Sequence, residues 1–132
     1  MSQQFLTIRA YEEPGRHVLA LHGELDLAAV PSFEAAAKRV CELGSGELLV
    51  DITDVGFIDS SGVRSILAVK ARCEQHGCEF SMTHGGEHAE RVFELTRLLE
   101  HLPFRHRPTE RFRREIDLWG EGLRPAERGA ES

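Results

Sequence analysis

The residues most able to do chemistry lie together in "VGFIDSSGVRSIL", Val55 to Leu67. An apolar run stops at an acid, Asp59, two hydroxyls, Ser60 and Ser61, and a glycine, Gly62, then resumes with helical spacing. Three chemistries fit. A serine hydroxyl before a helix accepts hydrogen bonds from the free N–H groups of the first turn, a cap worth about 1 kcal/mol. Capping explains one hydroxyl and does not require an acid, two serines and a glycine together. A phosphate at a helix N-terminus meets unpaired donors and the positive end of the helix dipole, so charge added there is tolerated by the fold and felt by whatever docks on it. A serine nucleophile is the third possibility, and it needs a base within hydrogen-bond reach. "DSSGV" is not the Gly-x-Ser-x-Gly elbow, and no oxyanion-hole signature accompanies it.

His84 and His88, in "HGGEH", are the other reactive pair. Their i, i+4 spacing with Glu87 between them suits a metal only if all lie on one helix, and Gly85–Gly86 place a turn there instead. The double glycine is not a phosphate loop, since no Gly-x-x-x-x-Gly-Lys pattern exists. No metal site and no resident cofactor are expected. Cys41, Cys73 and Cys78 are odd in number and lie in or beside apolar segments. They read as reduced thiols of a cytoplasmic protein, and Cys73–Cys78 lacks the Cys-x-x-Cys spacing of a redox motif.

The elements that must hold these residues follow from periodicity. "QFLTIRAYEE" alternates as a strand, Pro14–Gly15 suit a tight turn, and "HVLALHG" is a second, antiparallel strand. Val30, Phe33, Ala37 and Val40 are spaced 3, 4 and 3, which predicts a helix over Ala29–Leu43 closed by Gly44. "ELLVDI" is the continuous apolar run of a strand buried on both faces. A helix beginning near Gly62, with Val63, Ile66, Leu67 and Ala71 on one face, ends at His76–Gly77. "CEFSMT" is the next strand and "HAERVFELTRLL" the next helix, with Ala89, Val92, Phe93 and Leu99 inward. The order β-β-α-β-α-β-α makes an α/β domain, an open mixed sheet with helices packed on it. Sites in such sheets gather beyond the carboxyl ends of the strands, which is where "FIDSSG" falls. The expected core is Leu6, Ile8, Leu19, Leu21, Phe33, Val40, Leu49, Val50, Ile52, Ile66, Leu67, Phe80, Met82, Val92 and Phe93.

With 132 residues and 41% hydrophobic content, one small domain with a single core is expected. A formal charge of −6 gives no nucleic-acid signature. No apolar stretch approaches the roughly 20 residues that span a bilayer, and "MSQQFLTIRA" does not read as a signal peptide. The domain is assigned to residues 1–104 and an extension to 105–132. In the extension, Phe112, Ile116 and Trp119 are spaced 4 and 3, which predicts an amphipathic helix near 109–119 with Arg111, Arg113 and Arg114 outward, followed by a polar, flexible end. That helix packs on its own domain, serves a partner or dimer contact, or lies on a membrane surface.

The element order, "GELD" after the second strand and "DITDVGFIDSSGV" at the central joint together resemble the STAS domain, most of all the anti-sigma factor antagonists of bacteria. The resemblance covers about Phe5 to Phe104. It implies that Ser60, directly after the aspartate, is phosphorylated by an anti-sigma factor that is also a serine kinase, and that a phosphatase reverses this. It places Asp26, Asp59, Ser61, Gly62 and Arg64 at the partner surface, with Arg64 standing where many relatives have a small residue. ATP and Mg²⁺ then belong to the kinase, and the antagonist catalyses nothing. The long tail departs from the pattern of small antagonists and leaves a homodimer, or a scaffold subunit of a stress-signalling or lipid-transport complex, as the alternatives.

Overall fold

The computed structural model describes residues 5–44, 46–97, 101–105 and 113–119. Strands β1 (Thr7–Glu13) and β2 (Arg16–Leu25) form an antiparallel hairpin whose turn uses Gly15 at φ 81°. Helix α1 (Val30–Leu43) follows, then β3 (Glu47–Ile58), α2 (Ser60–Gln75), β4 (Glu79–Thr83), α3 (Glu87–Leu95), β5 (Phe104–Arg105) and β6 (Arg114–Ile116). The sheet order is β5-β4-β3-β2-β1-β6. From β2 to β5 each new strand is parallel to the last and is added on the same side. Right-handed crossovers repeated in one direction put all three helices on one face of the sheet.

The core follows from that layout. Alternate strand residues Leu19 and Leu21, Leu48, Val50 and Ile52, and Phe80 and Met82 join Phe33, Ile66 and Phe93 of the helices in one cluster. Two elements depart from the expectations above. Leu67 and Ala71 lie on the outer face of α2 and are exposed, whereas Val63, Ile66, Val69 and Cys73 face inward. The extension does not form a helix over Arg114–Ile116. Those residues pair antiparallel with Glu12–Ala10 as the edge strand β6. Helical spacing of Ile116 and Trp119 lost to the unpaired backbone of β1 and to a charge match: Arg113 with Glu13, Arg114 with Glu12, and Arg9 with Glu115. Leu118 is buried beyond it, and its carbonyl accepts from Arg39 of α1 at 3.0 Å. Residues 109–112 of the expected helix, the expected flexible end and Leu99 lie outside the described residues. Among the described residues no helix is long and apolar enough to cross a membrane.

Candidate functional site

The strand leading to Asp59 is twice as long as its apolar run suggested. β3 continues through "TDVGFI" to Ile58, paired to β2 with two register shifts, so that Glu24–Leu25 oppose Phe57–Ile58. Both strands therefore end side by side, and α2 starts directly from the end of β3.

The helix begins at Ser60, two residues before Gly62. Asp59 is consequently the N-cap, and the serines are the first helical residues, not caps. Asp59 Oδ1 accepts the Gly62 N–H at 2.9 Å, and Asp59 Oδ2 accepts the Leu27 N–H at 3.3 Å. One carboxylate thus ties the first turn of α2 to the loop after β2, and an acid does this more firmly than a hydroxyl because the bonds are charge-assisted and the helix dipole favours it. Asp26 makes the matching turn on its own side. Its carbonyl and its Oδ1 both accept the Ala29 N–H, at 3.0 and 3.1 Å, which sets the entry to α1.

Gly62 is buried at the crossing of α2 over β2. A Cβ there would collide with the Leu25 carbonyl oxygen and lie 2.8 Å from Ile58 Cγ1. Glycine is what lets the helix start this close to the strand. With Asp59 engaged and Gly62 buried, Ser60 is pushed outward. It is exposed, and its hydroxyl has no hydrogen-bond partner among the described residues. Ser61 is half-buried. Arg64, one turn on from Ser60, shares its exposed face and has no ion pair among the described residues.

The structure therefore brings Asp26, Asp59, Ser60, Ser61 and Gly62 together where β2 and β3 end, with Arg64 a turn away. It adds three residues that sequence reading did not assign to the site. Leu27, whose N–H binds Asp59, is 69% exposed. Phe57, at the end of β3, is 38% exposed. His88 stacks on Phe57 at a centroid distance of 4.8 Å, and its Nε2 donates to the Ile58 carbonyl at 3.1 Å. An exposed leucine in "GELDL" was the available signal for the first. The other two depend on β3 running to Ile58. His84 turns elsewhere, to Glu90 at 2.8 Å and onto the Phe104 ring, so the two histidines do not share a site. Among the described residues no group of His, Cys, Asp or Glu is placed to hold a metal ion.

Chemically, the arrangement offers an exposed hydroxyl, Ser60, and a half-buried one, Ser61, at a helix start beside two exposed apolar side chains and two carboxylates, and neither hydroxyl has a hydrogen-bond partner among the described residues. Among the described residues no histidine bonds to Ser60, and His88, on the neighbouring α3, is engaged with the Ile58 carbonyl.

The family model described as "Mlab, STAS domain" matches residues 8–103. No curated protein matches the chain. Among solved structures, it is similar to an anti-sigma factor antagonist from Mycobacterium paratuberculosis, at 25% identity and a TM-score of 0.68 over 80% of this chain and 87% of that one. The anti-sigma factor antagonist SpoIIAA in its unphosphorylated form matches at 21% identity and a TM-score of 0.65, over 79% of this chain and 90% of that one. The Bacillus SpoIIAA in its phosphorylated form matches at 21% identity and a TM-score of 0.61, over 79% and 94%.

Proposed function

Because the chain belongs to the STAS domain family, we propose that it is an anti-sigma factor antagonist of the cytoplasm, one that binds an anti-sigma factor serine kinase and is switched off by phosphorylation of Ser60. The observation that carries this reading is the Ser60 hydroxyl, exposed and without a partner among the described residues, beside a carboxylate already committed to the backbone. Anti-sigma factor antagonists are among the solved structures that the chain is similar to.

The physics of a switch fits that geometry. Phosphorylation adds about −1.5 to −2 charges at a position where helix donors and dipole favour an anion. Asp59 keeps its two N–H partners, so the fold survives. The partner-facing surface is different. Leu27 and Phe57, both exposed at the same end of the sheet, supply apolar contact, and Asp26, Ser61 and Arg64 supply the polar rim. A dianion in the middle of that patch must be desolvated on docking and is repelled by any acidic partner group. A loss of ~3 kcal/mol weakens a complex over a hundredfold. Arg64, on the same face, pairs with the phosphate in the modified form and with the kinase in the free form. Gly62 belongs to this surface by letting α2 start close against β2, which sets how the surface is presented. A phosphatase resets the switch, and ATP and Mg²⁺ are the kinase's own.

The test is intact-mass analysis after incubation with candidate anti-sigma kinases and ATP, with binding measured for two variants. Ser60→Asp should melt like the wild type and lose the kinase about a hundredfold, whereas Ser60→Ala stays bound. Unfolding of Ser60→Asp, or undiminished kinase binding by it, refutes the reading. Turnover of an activated ester that Ser60→Ala abolishes would make the protein an enzyme instead. A second reading, a STAS scaffold subunit of a stress-signalling or lipid-transport complex, draws on β6, which an antagonist–kinase pair does not need. It gains if no kinase adds phosphate and the protein co-purifies with a permease-type assembly.

A further inference from the structure

The two helices that begin at the candidate site both end at a cluster of thiols. Cys41 lies in the last turn of α1 and Cys73 in the last turn of α2, with their Sγ atoms 4.0 Å apart. Cys78 follows the end of α2, its N–H donating to the Cys73 carbonyl at 2.8 Å. All three are free thiols. Cys73 and Cys78 are buried, and Cys41 is half-buried. None of them has a part in the function proposed above.

We propose that Cys41 and Cys73 form a peroxide-responsive pair that closes to a disulfide and staples α1 to α2. A disulfide requires the sulfurs about 2.05 Å apart. The remaining gap is about 2 Å, within the reach of side-chain rotation at the half-buried Cys41. Solvent access assigns the roles. Cys41 is the only one of the three that water reaches appreciably, so it meets the oxidant first. Burial pushes the Cys73 thiol well above its ordinary ionisation range, so it is not the thiol that meets the oxidant first.

The steps balance. The Cys41 thiolate attacks one oxygen of hydrogen peroxide. An S–O bond forms, the O–O bond breaks, and the departing hydroxide takes up the thiol proton as water. Cys73 sulfur then attacks the Cys41 sulfenic acid. The S–S bond forms, the S–O bond breaks, and the second hydroxide leaves as water with the Cys73 proton. Two thiols lose two electrons, and one peroxide becomes two waters. Cys73–Cys78 is the poorer pair because both members are buried and neither meets peroxide first.

The staple sits at the opposite end of α2 from Ser60, roughly 20 Å away at 1.5 Å per residue. It joins the ends of the two helices, and the Asp59–Leu27 bond ties the start of α2 to the loop that leads into α1.

The experiment uses the full reduced chain, exposed to equimolar hydrogen peroxide under native conditions, alkylated, digested and mapped without reductant. The expected product is an intramolecular Cys41–Cys73 disulfide with Cys78 singly alkylated. The melting midpoint should rise and return to its starting value with dithiothreitol. Cys41→Ser should abolish the disulfide while the reduced variant melts as the wild type does. Cys78→Ser should keep the disulfide. The proposal is overturned by oxidation of Cys41 to sulfinate with Cys73 still free, by disulfides that form only between molecules, or by Cys73–Cys78 as the principal product. These readouts are independent of whether Ser60 is phosphorylated.

Discussion

Gly62→Ala separates local propensity from tertiary geometry because the two predict opposite signs. In an exposed helix, alanine is better than glycine by about 1 kcal/mol. Here the added methyl would overlap the Leu25 carbonyl oxygen and lie 2.8 Å from Ile58 Cγ1 and 3.1 Å from Leu25 Cγ. The first obstacle is backbone of a central strand and cannot rotate away. Relief requires α2 to lift from β2, which loosens the Asp59 N–H to Leu25 carbonyl bond, already 3.4 Å long. Overpacking of this kind costs about 1 to 3 kcal/mol, and an immovable carbonyl places it near ~3. Subtracting the propensity gain leaves a net loss of about 2 kcal/mol, or roughly 8 °C in the melting midpoint for a domain of this size. Denaturant unfolding and thermal melts of the variant measure it. Ser61→Ala, half-buried and one position earlier, is the control and should stay within about 0.5 kcal/mol of wild type. A Gly62→Ala protein that melts at or above the wild-type midpoint would refute the close-approach argument, and with it the reason given for Ser60 pointing outward.

Asp59→Ala removes both the cap on Gly62 and the bond to Leu27, and should cost about 1 to 2 kcal/mol. Asp59→Asn keeps an oxygen for the cap but none for the second N–H, so its loss should be smaller, with the Leu27 amide exchanging faster by NMR. His17, in β2, is buried, and that burial holds its pKa below the ordinary 6.5. The unfolded chain therefore binds the proton more readily than the folded one. Stability should be full above pH 6.5, fall as pH drops through the interval down to the folded-state pKa, and flatten below it; His17→Gln should remove that slope from a urea-midpoint series. Leu27→Ala should leave stability within about 0.5 kcal/mol yet weaken kinase binding, since the side chain is largely exposed. Ile116→Asp should speed amide exchange at Ala10 and Glu12, opposite β6, while the amides of β3 remain protected.

Much of this was legible in the sequence where one signal dominated. The spacing of Val30, Phe33, Ala37 and Val40 marked α1 to within a residue, since nothing competes with an apolar stripe bounded by Gly44. "ELLVDI" identified a buried strand but not its length. Thr53, Asp54 and Gly56 break the apolar run, and only the pairing with β2 carries the strand to Ile58. The same misreading shifted the helix start, so that the cap was sought in the serines and not in Asp59. Leu67 and Ala71 keep helical spacing with Val63 yet face outward, because the inward stripe of α2 drifts the other way, through Val63, Ile66, Val69 and Cys73. Residues Arg114–Ile116 form a strand for a reason that lies about 100 positions away, in the unpaired edge of β1. Phe57 and His88 meet only through tertiary structure, and no spacing announces such a pair.

The position of β6 also sets the order in which the sheet is completed. β1 is made first, and its outer edge pairs with residues roughly a hundred positions later in the chain. At a synthesis rate of about 5 to 20 residues per second, that edge waits on the order of 5 to 20 s for its neighbour. During the wait it presents open backbone groups, and Arg9, Glu12 and Glu13 are the charges standing beside them. The residues that later form ion pairs with β6 thus serve first as gatekeepers against association between nascent chains. The sheet closes only when the ribosome has delivered Arg114 to Ile116.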